Sequence, residues 1–288
     1  MRHRCHLILL LLLFAAAPLP AQERVDCRLA ADPDVAVRIF NLIGFTRVIG
    51  WDRDTIAVTG TLPAGAGHFV AGGTRGAVKL GIDTPGDSAG SAAATLEIHV
   101  PQGARVWAKG AASDIEISGV DGELDLYSVS GRIRVEGQPR QLSAESIDGN
   151  IEVEGRAAST RVRTAGGAIT LRYLRGALTA SSVSGPIRIG GAALTRGRLE
   201  SVSGEVSYKG DVLGGGTLDV QTHSGLVELR LPPAVSADFD LVAYAGAITS
   251  EFGSADSARA GRRRFSTGTG SALITVRTFK GAVRLVRQ

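Results

Sequence analysis

Carboxylates alternating along a strand are the nearest thing to a catalytic set in this 288-residue chain. Glu152 and Glu154 are two residues apart, so an extended strand sets both on one face. Glu136 stands one repeat below Glu154, and Asp114, Asp121 and Asp125 form a second acidic group. A polysaccharide lyase or hydrolase needs outward carboxylates spaced for acid–base work. The competing reading is a solvated sheet face on which pairs such as Arg134 and Glu152 neutralise each other; it assigns no catalytic residue. Exposed pairs of that kind are worth under about 1 kcal/mol. His68, His99 and His223 are far apart, without Cys or acidic partners at ligand spacing, so neither a metal nor another cofactor is expected. His223 replaces an aliphatic residue in a repeated column (Val129, Ile147, Ala165, Val183, Val202), which points to a structural role. The glycines at 214–216 lack the Lys and helix of a phosphate loop, and no Gly-x-Ser-x-Gly elbow precedes a helix. The binding candidate is the run Arg262, Arg263, Arg264 and Phe265, which could touch acidic glycans or lipid headgroups; a solvated loop is the alternative.

The elements that must carry these residues come from a repeat. A Ser/Thr-rich strand end, a turn centred on Gly and an alternating apolar strand recur at Gly131, Gly149, Gly167, Gly185, Gly204, Gly225 and Gly246, with a final copy at Gly281. The period is roughly 18–21 residues, the mark of stacked units. Two residues after the glycine stand Ile133, Ile151, Ile169, Ile187, Val206, Val227, Ile248 and Val283. Most copies carry another apolar residue two further on, and polar residues lie between, so each copy holds a half-buried strand. Three residues before the glycine, Ser128, Ser146, Thr164, Ser182, Ser201, Thr222 and Thr278 make a column of small hydroxyls suited to a hydrogen-bonded ladder. The glycine is expected at positive φ in a tight corner. Second glycines at Gly137, Gly155, Gly191 and Gly210 close many of the units. An antiparallel meander also fits short strands and frequent turns. Identical residue types at identical offsets instead favour in-register stacking: an all-β, single parallel β-solenoid with irregular capping ends.

Residues 1–21 read as a secretion leader, with Arg2 and Arg4 before an apolar run that is too short to span a membrane. Residues 22–34 read as a flexible lead-in, and 35–288 as one domain. Within it, 63–76, 85–93 and 253–270 are expected to be irregular. Cleavage takes two of the 32 basic residues, leaving near balance against 28 acidic ones, so no nucleic-acid partner is implied. Cys5 leaves with the leader and Cys27 stands alone, so the fold has to hold through its core and backbone ladders. Thirty-eight glycines and 5% aromatic residues suit a tight all-β coil.

The phrase Ser-Val-Ser-Gly at 128–131, 182–185 and 201–204, the segment at 229–233, the closing segment at 276–285 and the opening at 41–51 carry a resemblance. Together they resemble the bacterial putative-adhesin family of β-strand-repeat domains of unknown function, over about residues 35–287. The resemblance implies an exported or cell-envelope β-solenoid with no catalytic residues. It departs from the pattern at Gly166-Gly167, at His223 and in the insertion at 253–270. The expected function is non-enzymatic: a repetitive surface that binds glycan, envelope polymer or envelope protein through many weak contacts. The location would be periplasm, cell envelope or extracellular space. The alternative is a carbohydrate-active enzyme on the same scaffold.

Overall fold

The computed structural model describes residues 22–83, 92–253, 258–259 and 261–288. The expected leader and residues 85–91 of one expected loop lie outside the described residues. The described chain is all-β, with no helix. Its first part holds β1 (Glu23–Ala30), β2 (Ala36–Phe40), β3 (Ile43–Trp51), β4 (Thr55–Leu62), β5 (His68–Thr74), β6 (Ala77–Asp83) and β7 (Ala94–Pro101). The regular repeats follow as strand pairs: β8 (Arg105–Lys109) with β9 (Ala112–Ser118), β10 (Glu123–Ser128) with β11 (Ile133–Gly137), β12 (Gln141–Ser146) with β13 (Ile151–Gly155), and β14 (Ser159–Thr164) with β15 (Ile169–Arg172). Next come β16 (Arg175–Ser182) and two long strands, β17 (Ile187–Ser201) and β18 (Val206–Thr222). The chain ends in β19 (Val227–Leu231), β20 (Ala237–Ala243), β21 (Ile248–Ser250), β22 (Ala258–Arg259), β23 (Arg262–Thr267), β24 (Ala272–Thr278) and β25 (Val283–Arg287).

Through the middle, each strand pairs in parallel with its equivalent one repeat away, for example β10 with β12 and β11 with β13. Ile133 registers with Ile151, Ile151 with Ile169, and Ile169 with Ile187, as the repeat predicts. All four are fully buried, as are Val206 and Val227 further along the column. Burying each such side chain contributes roughly 1.5–3 kcal/mol. Tyr208 takes an aliphatic place between Ile189 and Leu229; its hydroxyl donates to the Asp211 carbonyl at 2.7 Å, and burial pushes its phenol pKa up.

Strand orientation is mixed, where the repeat had suggested one parallel array. Antiparallel pairs cover both ends: β1 with β4, β4 with β7 and β5 with β6 at one, β20 with β23 and β22 with β23 at the other. Residues 22–34, expected as a flexible lead-in, contain β1; the expected loop 63–76 contains β5; the expected irregular stretch 253–270 contains β22 and β23. Antiparallel strands at these places satisfy backbone groups that an end strand would leave open.

The stacking order departs from chain order at both ends. The first pair, β2 and β3, lies between β6–β7 and β8–β9. The last pair, β24 and β25, lies between the coil made by β18 and β19 and that made by β20 and β21. The chain thus goes to each extremity of the stack and tucks its own terminal coil one place inward.

The hydroxyl column forms its ladder with backbone. Ser128, Ser146, Thr164, Thr222 and Thr278 each accept the N–H of the turn glycine three residues on, at 2.8–3.1 Å. Ser146 and Thr164 also donate to a carbonyl of the preceding coil, on Val129 and Ile147. The turn glycines are required for a reason other than the expected one. None has positive φ; that conformation falls on some of the closing glycines, such as Gly137 and Gly155, at 147° and 141°. At the turn, coils approach so closely that a Cβ on Gly149, Gly167, Gly185, Gly204 or Gly225 would overlap the carbonyl oxygen of the glycine one coil below.

Candidate functional site

Alternation on β2, β8, β10, β12, β14 and β16 turns Val37, Val106, Leu124, Leu142, Thr160 and Leu178 inward. The residues between them face out in two registered columns. One runs Arg38, Trp107, Asp125, Ser143, Arg161, Thr179. The other runs Ala36, Arg105, Glu123, Gln141, Ser159, Ala177. Small side chains among long ones leave a groove of about 430 Å³ across these six strands. Five strand spacings give it a length of about 24 Å.

Trp107 is half-buried and stands edge-on to Phe40, with ring centroids 4.9 Å apart, while the Lys79 ammonium lies 5.2 Å from the Phe40 ring. The two tryptophans differ in kind. The indole N–H of Trp51 donates to the Thr55 carbonyl at 2.8 Å, whereas that of Trp107 meets no acceptor among the described residues. Arg105 donates to the Asp34 carbonyl at 3.3 Å, but the other four charged groups along the groove are uncommitted. Among the described residues no ion pair involves Arg38, Glu123, Asp125 or Arg161. The alternation of β8 was the signal for it: with Val106 inward, the next residue, a large aromatic, must face out.

The carboxylates considered for catalysis lie on the other column of strands, around a hollow of about 250 Å³. Glu152 is paired with Arg134 at 3.2 Å and Arg132 at 3.8 Å; Glu136 is paired with Arg134, and Glu154 with Arg172 at 3.9 Å. Each carboxylate thus faces a guanidinium. The second acidic group is not gathered: Asp114 is on β9 and accepts the Arg132 N–H at 2.8 Å, Asp125 is on β10, and Asp121 is in the turn between. No group of three or more His, Cys, Asp or Glu among the described residues could hold a metal ion.

The basic run is a strand, not a loop. On β23, Arg262 makes a forked contact with both oxygens of Asp240, at 3.0 and 2.8 Å, and Arg264 adds a third bond at 3.1 Å. Arg263 lies on the opposite face of the strand. The Phe265 ring stacks on Phe239 with centroids 4.7 Å apart. Hydrogen bonds from Arg262 and then Arg264 hold the Asp240 carboxyl well below its usual range, at about 2. A depressed folded-state pKa stabilises the fold above the unfolded value of about 4 and loses that contribution as pH falls toward 2. The guanidiniums are half-exposed, so screening limits the effect to roughly 1–2 kcal/mol. Asp240→Asn is therefore expected to lower the unfolding midpoint at pH 7 and to flatten its dependence between pH 4 and 2, read by thermal melts across that window.

His223 and its column form an exposed ridge at one corner. Ile147, Val183 and Val202 are among the exposed large apolar residues, and His223 stacks on Phe279 at 5.1 Å. Its column thus lies on the surface, outside the core.

No protein-family model and no curated protein matches the sequence. Among solved structures, one described as a putative adhesin from Parabacteroides merdae is 12% identical, with a TM-score of 0.51 over 92% of this chain and 96% of that one. Another putative adhesin, from Bacteroides fragilis, is 13% identical, with a TM-score of 0.48 over 93% of this chain and 99% of that one. No helix among the described residues is long and apolar enough to cross a membrane. The chain shares the all-β fold of the Parabacteroides protein.

Proposed function

We propose that this protein is an exported, non-enzymatic β-solenoid whose repetitive outer face binds a polymer of the cell envelope or its surroundings, in the manner of an adhesin. The observation that carries this reading is the groove: an outward tryptophan and four charged side chains that make no ion pair among the described residues. Uncommitted charges of both signs beside an outward aromatic side chain are available to a ligand. The name borne by the Parabacteroides structure points the same way. Many weak contacts along a regular face gain strength by multivalency, since each bound unit raises the local concentration of the next. The Glu152 hollow sustains a second reading, polysaccharide cleavage, yet its carboxylates are spent on arginines.

The test uses residues 22–288, incubated with intact bacterial cells and isolated envelope fractions, followed by assay of the medium for newly released reducing ends. Saturable retention without release is expected. Release of reducing ends that disappears in the Glu152→Gln, Glu154→Gln double variant would install the enzymatic reading instead.

A further inference from the structure

We infer that the groove across β2, β8, β10, β12, β14 and β16 is a binding site for a neutral glycan, a chain of uncharged pyranose rings, with Trp107 as the platform on which one ring stacks. This rests on reading the outer face as a binding surface and names the ligand class it takes. Three features select that class. A half-buried, outward indole offers a flat apolar area, and its N–H, unmet among the described residues, offers a donor at the edge; a pyranose ring presents axial C–H groups on one face and hydroxyls round its rim, matching both. Charged side chains of both signs stand within three coils of the tryptophan: Arg38 and Asp125 flank it in register, and Arg161 follows beyond Ser143. Carboxylate and guanidinium groups hydrogen-bond neighbouring hydroxyls strongly, because one partner is ionised. The signs alternate along the groove, with Glu123 and Gln141 beside them, so no single-signed field is present to attract a polyanion.

The floor supplies the shape. Ser143 is small between Asp125 and Arg161, and Ser159 and Ala177 are small beyond Gln141, which leaves a trough open at the surface and about 24 Å long. A trough of that kind takes several rings of a linear chain laid across the strands. It is too open and too polar to enclose a compact apolar molecule. Phe40 packs edge-on against Trp107 and is itself covered by Lys79, so the platform is ordered before the ligand arrives and little side-chain entropy is lost on binding.

The experiment uses the Trp51→Phe background, in which Trp107 is the sole tryptophan reporter. Hexamers of β-1,4-linked glucose, β-1,4-linked N-acetylglucosamine and α-1,4-linked galacturonate are titrated, with an extended acidic peptide as a further arm. A saturable shift of Trp107 emission with one or both neutral hexamers is expected. Affinity by calorimetry should fall about tenfold or more in Trp107→Ala and in Asp125→Ala. Asp125 makes no side-chain hydrogen bond or ion pair among the described residues that its loss would break, so its variant separates lost binding from lost folding; unchanged melting confirms it. Binding of galacturonate or peptide alone, or neutral binding untouched by both substitutions, overturns the assignment. Absence of hexamer binding alongside intact retention on envelope fractions overturns the glycan groove and leaves the adhesive reading standing; absence of both overturns both.

Discussion

Gly149→Ala is expected to destabilise the fold by about 3 kcal/mol, one of the largest effects available to a single added methyl group. The Cβ would overlap the Gly131 carbonyl oxygen, and the Ser146 hydroxyl lies 2.8 Å away on another side. Neither neighbour can retreat. The Gly131 carbonyl belongs to the coil below, whose spacing is fixed by the strand ladders on both flanks. The Ser146 hydroxyl is held by the Gly149 N–H at 2.9 Å. The strain therefore spreads into the ladder and is not absorbed at the turn. Thermal unfolding should show a midpoint lowered by roughly 6–12 °C. Gly190→Ala is the control: Gly190 has nothing within 4 Å of the added carbon and no positive φ, so it should be neutral or stabilised by about 0.5 kcal/mol. Equal melts for the two variants would refute the close-approach account of the turn glycines.

Leu285→Ala should cost roughly 2–5 kcal/mol, as much as Leu171→Ala in the middle of the stack, although Leu285 is three residues from the end of the sequence given. Terminal residues ordinarily fray, and substitutions there ordinarily cost little. This terminal strand is different because β25 is an inner member of its column. Leu285 lies between Leu229 on one side and Ser250 on the other, and is 1% exposed. Opening β25 breaks two parallel ladders and leaves β21 without the strand it pairs with. Denaturant unfolding measures the cost. Amide hydrogen exchange gives the second readout: Val283 to Val286 should exchange as slowly as Ile133 to Glu136. Fast exchange confined to β25 would mean that the last coil does not occupy an inner place.

Much of this architecture is legible in the residues alone, since the repeat reports contacts that recur. Ile133, Ile151, Ile169 and Ile187 share one offset, and that offset is the lattice position each occupies. The hydroxyl column was legible for the same reason, because five of its seven members, all but Ser182 and Ser201, answer the same turn N–H. The role of the turn glycine was less so. Composition says that only glycine fits, and it does so equally for a positive φ and for a carbonyl pressing from the next coil; the second cause belongs to stacking and exists only once the coils are assembled.

The candidate site shows the same division. Trp107 is outward by simple alternation with Val106, so its exposure was within reach of the sequence. That Arg38, Asp125 and Arg161 share its column, drawn from residues 123 positions apart, depends on β2 being tucked beside β8. Arg262 and Arg264 looked free along the chain, yet antiparallel pairing of β23 with β20 brings both onto Asp240. Strand identity, inward and outward faces and the stacking period were thus determined by local alternation and repetition. The order of the terminal coils, the antiparallel strands that close the ends, and which charges are neutralised were decided only by tertiary structure, because each depends on which strand edge remains open once the regular repeats have paired.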